Sequence, residues 1–367
     1  MVVALNVDYE NIRHWTEAVE NAEHSTEGLG DPIVNLDPNF LVPKEDRGRD
    51  RSFSRMQKIA EIIDEAEKAG RPLLTMPQGK ENERPFRRPD YLEEWQQLKK
   101  TWSLHVRGRD HLVPPRLSSA TETFYASDPL KSVEDWLWRF LLFSSGQFFQ
   151  SAIRPAMAIV SPLIRLATFA DFANHYNEIS KDRGHRYLEI LSQYFEAYDD
   201  FSQVHFSVSA GIEIPSDHIV SSVNFSRTKM YYGNAFEALS SSVDILAYLN
   251  NIAANRPFGA FQELTQKEYL KLDKPNRFNA FQDLTEFANL CRERDNQLRN
   301  ASHHGGTRLE TETQTIHYRA GKGGMGEAKT ISYTAYLARC SRIHLQLCAL
   351  LGVELVMCNA ARLKYPL

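Results

Sequence analysis

Residues 127–141 read SDPLKSVEDWLWRFL, and here the sequence changes from irregular to helical in character. Ser127 and Asp128 are residue types that cap helices, and Pro129 suits the first helical position. Apolar residues then recur every three to four positions, at Val133, Trp136, Leu137, Phe140 and Leu141. This spacing predicts a long amphipathic helix that begins near Asp128, in a protein of mainly α class.

The sequence before this helix is rich in proline and charge. Nine of the 16 prolines precede residue 116, and segments such as PKEDRGRDR are dense in charge. Proline interrupts regular elements. We therefore predict that residues 1–125 form an irregular, α-rich recognition or regulatory module, with helices chiefly at 53–69 and 91–102. Residues 126–367 are predicted to form a separate helical domain.

Further helical patterns fill this second domain, at about 157–179, 183–203, 228–254, 278–302 and 333–362. Between the last two patterns lies LETETQTIHYRAGKGGMGEAKTISY, residues 309–333. Its Thr-rich runs favour strands, and its glycines favour a turn. The glycine cluster lacks the GxxxxGK[ST] order of a phosphate-binding loop. One small β-hairpin is therefore predicted within the helical bundle.

The overall composition excludes several classes of protein. The 367 residues include 43 Lys and Arg against 47 Asp and Glu, a formal net charge of −4. No global positive field would draw this chain onto nucleic acid or a membrane. The apolar runs at 136–143 and 156–164 are shorter than the roughly 18 residues that a membrane span needs. The N-terminus lacks the basic region of a secretory signal. We expect a cytoplasmic protein with no membrane partner.

Neither a metal nor another cofactor is predicted. The four cysteines form no CxxC pair, so we expect buried, reduced thiols rather than disulfides or a zinc site. The acidic pairs at 93–94 and 199–200 lack the spacing of a metal nuclease and are expected on solvated helix faces. Residues 80–116 carry nine basic and six acidic side chains, which is a weak indication of nucleic-acid binding.

The segment CRERDNQLRNASHHGG, residues 291–306, carries the candidate chemistry. The predicted helix here has an apolar stripe of Phe281, Leu284, Ala288, Cys291 and Leu298. Arg292, Arg299 and His303 fall along one flank of this stripe, and Gly305-Gly306 would end the helix. An arginine and histidines are thus predicted to meet at one helix terminus.

This combination suits the cleavage of RNA without a metal ion. The ribose 2′-hydroxyl must lose a proton as it attacks the adjacent phosphorus, and a histidine near neutral pKa can accept that proton or protonate the leaving oxygen. Arginine stays cationic and can bind phosphate oxygens through two parallel hydrogen bonds. It would stabilise the negative charge that develops in the transition state.

The run Arg299-Asn300-Ala301-Ser302-His303-His304 resembles the R-polar-x3-H form of the Rx4-6H signature of HEPN domains (higher eukaryotes and prokaryotes nucleotide-binding). Arg299, Asn300 and His304 match the signature, and the likeness covers about 228–362. It implies an all-α homodimer that cuts RNA without metal, commonly as a toxin or an abortive-infection effector against phage. A second arginine and histidine with this spacing, Arg339 and His344, lies inside the last predicted helix.

The resemblance implies that Arg299, His304 and Asn300 are catalytic. His303, Arg292 and Arg294 are then expected to bind the substrate. Ideal helix geometry favours His303 as the partner of Arg299, since four residues turn about 40° past one full rotation. The family spacing favours His304, which would serve if the helix unwinds before Gly305.

Two other interpretations remain open. In the first, the bundle is a catalytically silent dimer that binds a nucleotide, an antitoxin or another defence protein. Arg299 then pairs with Asp295, and the histidines cap carbonyl groups at the helix end. Alternatively, the module at 1–125, with Trp95 and Trp102 in its basic stretch, would sense phage nucleic acid or protein and hold the second domain inactive.

Overall fold

The computed structural model describes residues 2–8, 13–20, 91–215, 218–220, 224–303, 306–319 and 326–367, with side chains from residue 91 onward. The chain divides into two compact units, Met1–Arg87 and Arg88–Leu367. In the first unit, strands β1 (Val2–Asp8) and β2 (Arg13–Glu20) pair in antiparallel fashion. The helix predicted at 53–69 lies outside the described residues.

The second unit is mainly helical and carries one small sheet. Its α-helices are α1 (Tyr91–Val106), α2 (Val113–Phe124), α3 (Val133–Leu163), α4 (Phe169–Glu196), α5 (Tyr198–Ser209), α6 (Phe225–Ser242), α7 (Asp244–Ala253), α8 (Gln266–Lys271), α9 (Asn296–His303) and α10 (Tyr333–Ala361). Short 3₁₀ helices occupy Asp110–Leu112, Lys274–Phe281 and Thr285–Leu290. The sheet contains β3 (Thr307–Glu310), β4 (Thr315–Arg319) and β5 (Ala328–Ser332), in that order.

The sheet extends the predicted hairpin by one strand. The two strands around the glycine cluster pair as expected, with Thr315 opposite Ser332. The additional strand, β3, follows α9 almost directly and pairs with β4, Thr307 opposite Tyr318. Its four residues, TRLE, contain a single apolar side chain, so the sequence carried no alternation that would mark a strand. The tip at 320–325 lies outside the described residues.

The compact helical unit begins at Arg88, so the boundary predicted near residue 126 falls inside it. Helix α1 packs against α2, α3 and α4. The carboxylate of Glu94 on α1 accepts hydrogen bonds from the Tyr125 hydroxyl at 2.6 Å and from Trp136 Nε1 at 3.0 Å. Burial raises the pKa of Glu94. Residues 91–125 are therefore part of the bundle.

The sequence predicted that both acidic pairs lie on solvated helix faces. In the structure, each pair has one buried member. Glu94 is buried, and Asp200 is buried against Arg227, with an Oδ2 to Nη2 distance of 2.6 Å. Within the described ranges, no cluster of three or more His, Cys, Asp or Glu side chains suits a metal ion. The prediction of buried, reduced cysteines is confirmed for all four residues.

Several predicted helix boundaries are wrong for identifiable local reasons. Helix α3 begins at Val133, because the Ser132 hydroxyl rather than Ser127 or Asp128 caps it, accepting from Asp135 N at 3.2 Å. It continues to Leu163 through a kink at Gly146, where φ is +55°. The patterns predicted at 157–179 and 183–203 are therefore distributed over α3, α4 and α5. The pattern at 228–254 divides at Val243 into α6 and α7.

The core is built around α10, the helix predicted at 333–362. It packs against α3, α5 and α6 and is buried along most of its length. The side chains of Ile153 and Phe149 on α3 pack directly against Gly352 of α10, where a Cβ atom would lie 2.5 Å from Ile153 Cδ1. Arg362, in left-handed conformation at φ 56°, ends the helix.

Helix α10 also corrects the expectation that no segment is long and apolar enough for a membrane span. Alone among the described helices, it meets that criterion of length and composition. However, 83% of its most apolar 18-residue window is buried inside the protein. Packing within the bundle therefore accounts for its apolar character.

A buried ionic network joins α4, α7 and α10. The Arg183 guanidinium donates two hydrogen bonds to the Glu354 carboxylate, at 2.8 and 2.6 Å, and one to Asp244 Oδ1 at 2.6 Å. The hydroxyls of Tyr176 and Tyr187 donate to the same Glu354 carboxylate at 2.7 and 2.6 Å. Arg183 and Glu354 are fully buried, and this complete set of partners offsets their desolvation.

Replacing Arg183 with Met is expected to lower the free energy of unfolding by about 3–5 kcal/mol, because the Glu354 charge would stay buried without its partner. The exposed ion pair between Lys99 and Glu196 provides the control, and Lys99→Met should cost less than about 1 kcal/mol. Urea denaturation measures both values. Equal losses in the two variants would contradict the assigned role of the network.

A second buried cluster contains two neutral histidines. His205 donates from Nε2 to the Ser144 carbonyl at 2.8 Å, so its Nδ1 accepts from the Tyr194 hydroxyl, also at 2.8 Å. The His344 ring stacks on Tyr194 with centroids 3.6 Å apart. Burial lowers the pKa of His205 to about 4 and that of His344 well below its usual value. Both rings are therefore neutral in the folded protein at neutral pH.

The stability of the protein should fall as the pH drops from about 6.5 towards 4, because the unfolded chain binds protons on these histidines and the folded chain does not. His344→Phe keeps a ring on Tyr194 and removes one of the two groups, so it should flatten this dependence. Urea unfolding at several pH values measures the slope. Burial raises the pKa of Glu94 and Glu293, and these two groups make the folded protein more stable as the pH falls. The slope of the wild type is therefore compared with that of His344→Phe, which keeps both glutamates. Identical slopes would refute the assignment.

Candidate functional site

The predicted helix at 278–302 is not continuous in the structure. Two 3₁₀ helices replace its first part, and the α-helix that carries Arg299, α9, begins only at Asn296. The Asp295 carboxylate starts it by accepting from the backbone N–H groups of Gln297 and Leu298, each at 3.0 Å. The apolar stripe therefore belongs to separate short turns, and only Leu298 of that stripe lies on α9.

Arg299 projects from α9 onto α6. Its Nη2 forms a short ion pair with the Glu237 carboxylate, and its Nη1 donates to Asn300 Oδ1 at 2.6 Å. The Nε–H group is buried and has no hydrogen-bond partner among the described residues. The side chain is 22% exposed. Burial lowers the pKa of Arg299, although an arginine this exposed stays cationic at neutral pH.

His303 lies one helical turn after Arg299 and contacts α6 at Gly233. A Cβ atom at Gly233 would lie 2.8 Å from both Cδ2 and Nε2 of the imidazole, so glycine provides the space for this ring. Gly233 and Glu237 are themselves one turn apart on α6. Helices α6 and α9 therefore run antiparallel at this contact, and they bring Arg299 and His303 side by side on one surface.

The other predicted site residues are distributed differently. Asn300 is half-buried and holds the Arg299 guanidinium, whereas His304 lies outside the described residues, so the choice between His303 and His304 stays open. Arg292 and Arg294 precede α9, where they are exposed and line a separate cavity of about 250 Å³ with Cys291. The structure does not place these two arginines on the α6 surface that Arg299 contacts.

The alternative pairing of Arg299 with Asp295 does not occur. The Asp295 carboxylate instead binds Arg339, at 2.8 Å, and caps α9. Arg339 also contacts the buried Glu293 at 3.4 Å, while His344 lies in the core against Tyr194. Arg339 and His344, the second pair with the signature spacing, therefore have structural roles: the arginine binds acidic residues and the histidine packs in the core.

The sequence did not identify Gly233 and Glu237 as members of the site. Both lie within the pattern predicted as a helix at 228–254, and their spacing of four residues places them on one face. Nothing in the local sequence indicates which helix packs against that face. Their role depends on the contact with α9, which joins segments about 60 residues apart, as the Glu237 to Arg299 ion pair shows.

Comparisons with protein-family models, curated proteins and solved structures found no match. The likeness to HEPN domains therefore depends on the motif at 299–304 and its helical surroundings.

Gly233→Ala is expected to displace the His303 ring while leaving the protein folded, because the new methyl group would meet the end of a flexible side chain. NMR of the imidazole resonances measures the displacement. Gly306→Ala is the control, since its Cβ would lie no closer than 3.9 Å to any atom of Ala301. Unchanged His303 resonances in Gly233→Ala would contradict the contact between the His303 ring and α6.

Proposed function

We propose that this protein is a metal-independent endoribonuclease of HEPN type that acts as a cytoplasmic toxin or anti-phage effector. The observation that supports the proposal is that Arg299 and His303 lie one turn apart on α9 and both face α6, directly before His304. A guanidinium and an imidazole on one accessible surface provide the charge and the proton transfer that RNA cleavage requires.

In the proposed reaction, a histidine accepts the proton of the ribose 2′-hydroxyl while that oxygen attacks the adjacent phosphorus. Arg299 binds the nonbridging phosphate oxygens and stabilises the phosphorane. A second histidine donates a proton to the departing 5′-oxygen, which leaves a 2′,3′-cyclic phosphate and a 5′-hydroxyl. A homodimer would place two such sets opposite each other across a twofold axis.

Glu237 has a defined part in this proposal. It neutralises Arg299 in the free protein, so the RNA phosphate must compete with a carboxylate for the guanidinium. The Nε–H of Arg299 is buried and has no acceptor among the described residues. A phosphate would therefore reach the guanidinium as Glu237 is displaced, and the Nε–H would then be available as a further donor.

The same ion pair favours a second candidate function, a catalytically silent dimer that binds a nucleotide or a partner protein such as an antitoxin. Both Arg299 amino groups already have acceptors in Glu237 and Asn300. If Glu237 is not displaced, Arg299 remains a structural residue that joins α6 to α9. The two candidates differ in whether RNA is cut.

The nuclease proposal predicts that the purified protein cleaves RNA in the presence of EDTA. Arg299→Ala and His304→Ala should each reduce the rate by about 10²–10⁴-fold, because each removes charge stabilisation or a proton transfer. His303→Ala tests the neighbouring imidazole in the same assay. Gel analysis of a labelled RNA gives the rates, and the cyclic phosphate identifies the chemistry.

Exposed residues of the same types provide matched controls. His111→Ala and Arg165→Ala alter exposed residues outside the α6 and α9 surface and should cleave at the wild-type rate. Light scattering tests the expected homodimer. A wild-type protein without activity in EDTA, or Arg299 and His304 variants as active as the controls, would exclude the nuclease and leave the silent dimer.

A further inference from the structure

A polar cleft of about 280 Å³ lies between α4 and α6 and reaches the Arg299 site at Glu237. Helix α6 lines it with Asn234, Glu237 and Ser241, which share one face at spacings of three and four residues. Helix α4 contributes Arg186, Glu189 and Gln193 with the same spacing. The cleft continues from the candidate catalytic surface because Glu237 both lines it and binds Arg299.

Two basic side chains from different elements meet at Ser241, which lines one end of the cleft: Arg186, itself a lining residue, and Lys274, which is bonded to Ser241. Lys274, the first residue of the 3₁₀ helix Lys274–Phe281, donates from Nζ to the Ser241 hydroxyl. Its Nζ lies 4.0 Å from Glu237 Oε2. Arg186 donates from Nη1 to the Ser241 carbonyl at 3.0 Å. Both side chains are half-buried, so solvent screens their charge less than at an open surface.

The carboxylates near these groups do not balance the positive charge. Glu237 is bound to Arg299, Asp244 is bound to Arg183, and Glu189, the other acidic residue of the cleft lining, is exposed. Burial, together with Arg277 and Arg186, lowers the pKa of Lys274 to about 8. The positive charge of the Lys274 ammonium group is only partly neutralised by nearby carboxylates, so this group can bind an anion that enters the cleft from solvent.

We propose that Arg186 and Lys274 bind a phosphate of single-stranded RNA beside the phosphate held by Arg299, so that the cleft positions the substrate. This inference rests on the proposed nuclease function. At about 280 Å³ the cleft can hold only a small part of a single strand and is too small for a duplex. The half-buried Asn234 and Gln193, hydrogen-bonded to each other at 2.9 Å, provide amide groups that a ribose or base can contact.

The test uses the full chain and a fluorescent 2′-O-methyl RNA oligonucleotide, which binds but lacks the attacking hydroxyl. Lys274→Met and Arg186→Met should each weaken binding roughly tenfold, as expected for the loss of a charge-assisted hydrogen bond. Each should also reduce the slope of log affinity against log salt by about 0.7, the value for one phosphate contact on a single strand. Lys274→Arg should retain most of the affinity.

Lys271→Met and Arg165→Met are the controls, since both residues are exposed, whereas Lys274 is half-buried and bonded to Ser241 of the cleft lining. Circular dichroism confirms that each variant is folded. If Lys274→Met and Arg186→Met bind the oligonucleotide as tightly as these controls, the inference is overturned. If a free mononucleotide competes as strongly as the oligonucleotide, the cleft binds nucleotides and its assignment to RNA is overturned.

The pH dependence provides a readout that a purely structural lysine would not change. Affinity should fall as the pH rises from 7 to 9, because Lys274 loses its charge near pH 8, and Lys274→Arg should remove this fall. The charged groups that face Lys274 from the surrounding elements are Arg186, Glu237, Asp244, Arg277 and Arg299. A flat wild-type profile would contradict the contact.

The outcomes separate this inference from the nuclease proposal. If the 2′-O-methyl oligonucleotide binds with the predicted dependence on Lys274 and unmodified RNA stays intact, the nuclease fails and the binding cleft stands. If unmodified RNA is cut equally well by the wild type, Lys274→Met and Arg186→Met, the nuclease stands and the cleft fails. A wild-type protein that neither binds nor cuts RNA overturns both.

Discussion

The buried arginine at position 183 constrains the rest of the helical unit. A guanidinium placed in the core is stable only if its donors find acceptors, and here Glu354 and Asp244 supply them from two other helices. These ion pairs tie α4 to α10 and to α7. The same constraint fixes the end of α6, because Arg183 also donates to the Ser242 carbonyl at 2.7 Å.

Helix α6 serves two environments as a result. One face is buried against α10, while the opposite face carries the small and polar residues that meet α9 and line the cleft. Because the buried Arg183 holds the C-terminal end of α6, the helix that carries Glu237 and Gly233 is anchored in the core. The candidate site is therefore built on helices, with His303 as the last residue of α9.

The elements that were predicted well are those in which the local pattern and the tertiary environment agree. Helix α10 is apolar on nearly every face and is buried on nearly every face, so its extent followed from the sequence almost to the residue. The pattern at 278–302 failed because apolar residues at helical spacing also occur in successive short turns. The cap at Asp295 interrupts it, and its buried residues reach the core from separate segments.

The sequence by itself determined the mainly helical class, the strand pair around the glycine cluster, and the presence of an arginine and two histidines before a pair of glycines. These features depend on neighbouring residues and on local backbone preferences. Only the tertiary structure decided which side chains meet Arg299 and His303, because Glu237 and Gly233 approach α9 through the long-range packing of α6. Glu237 is one of many acidic residues in the sequence, and the antiparallel contact of α6 with α9 makes it the partner of the candidate catalytic arginine.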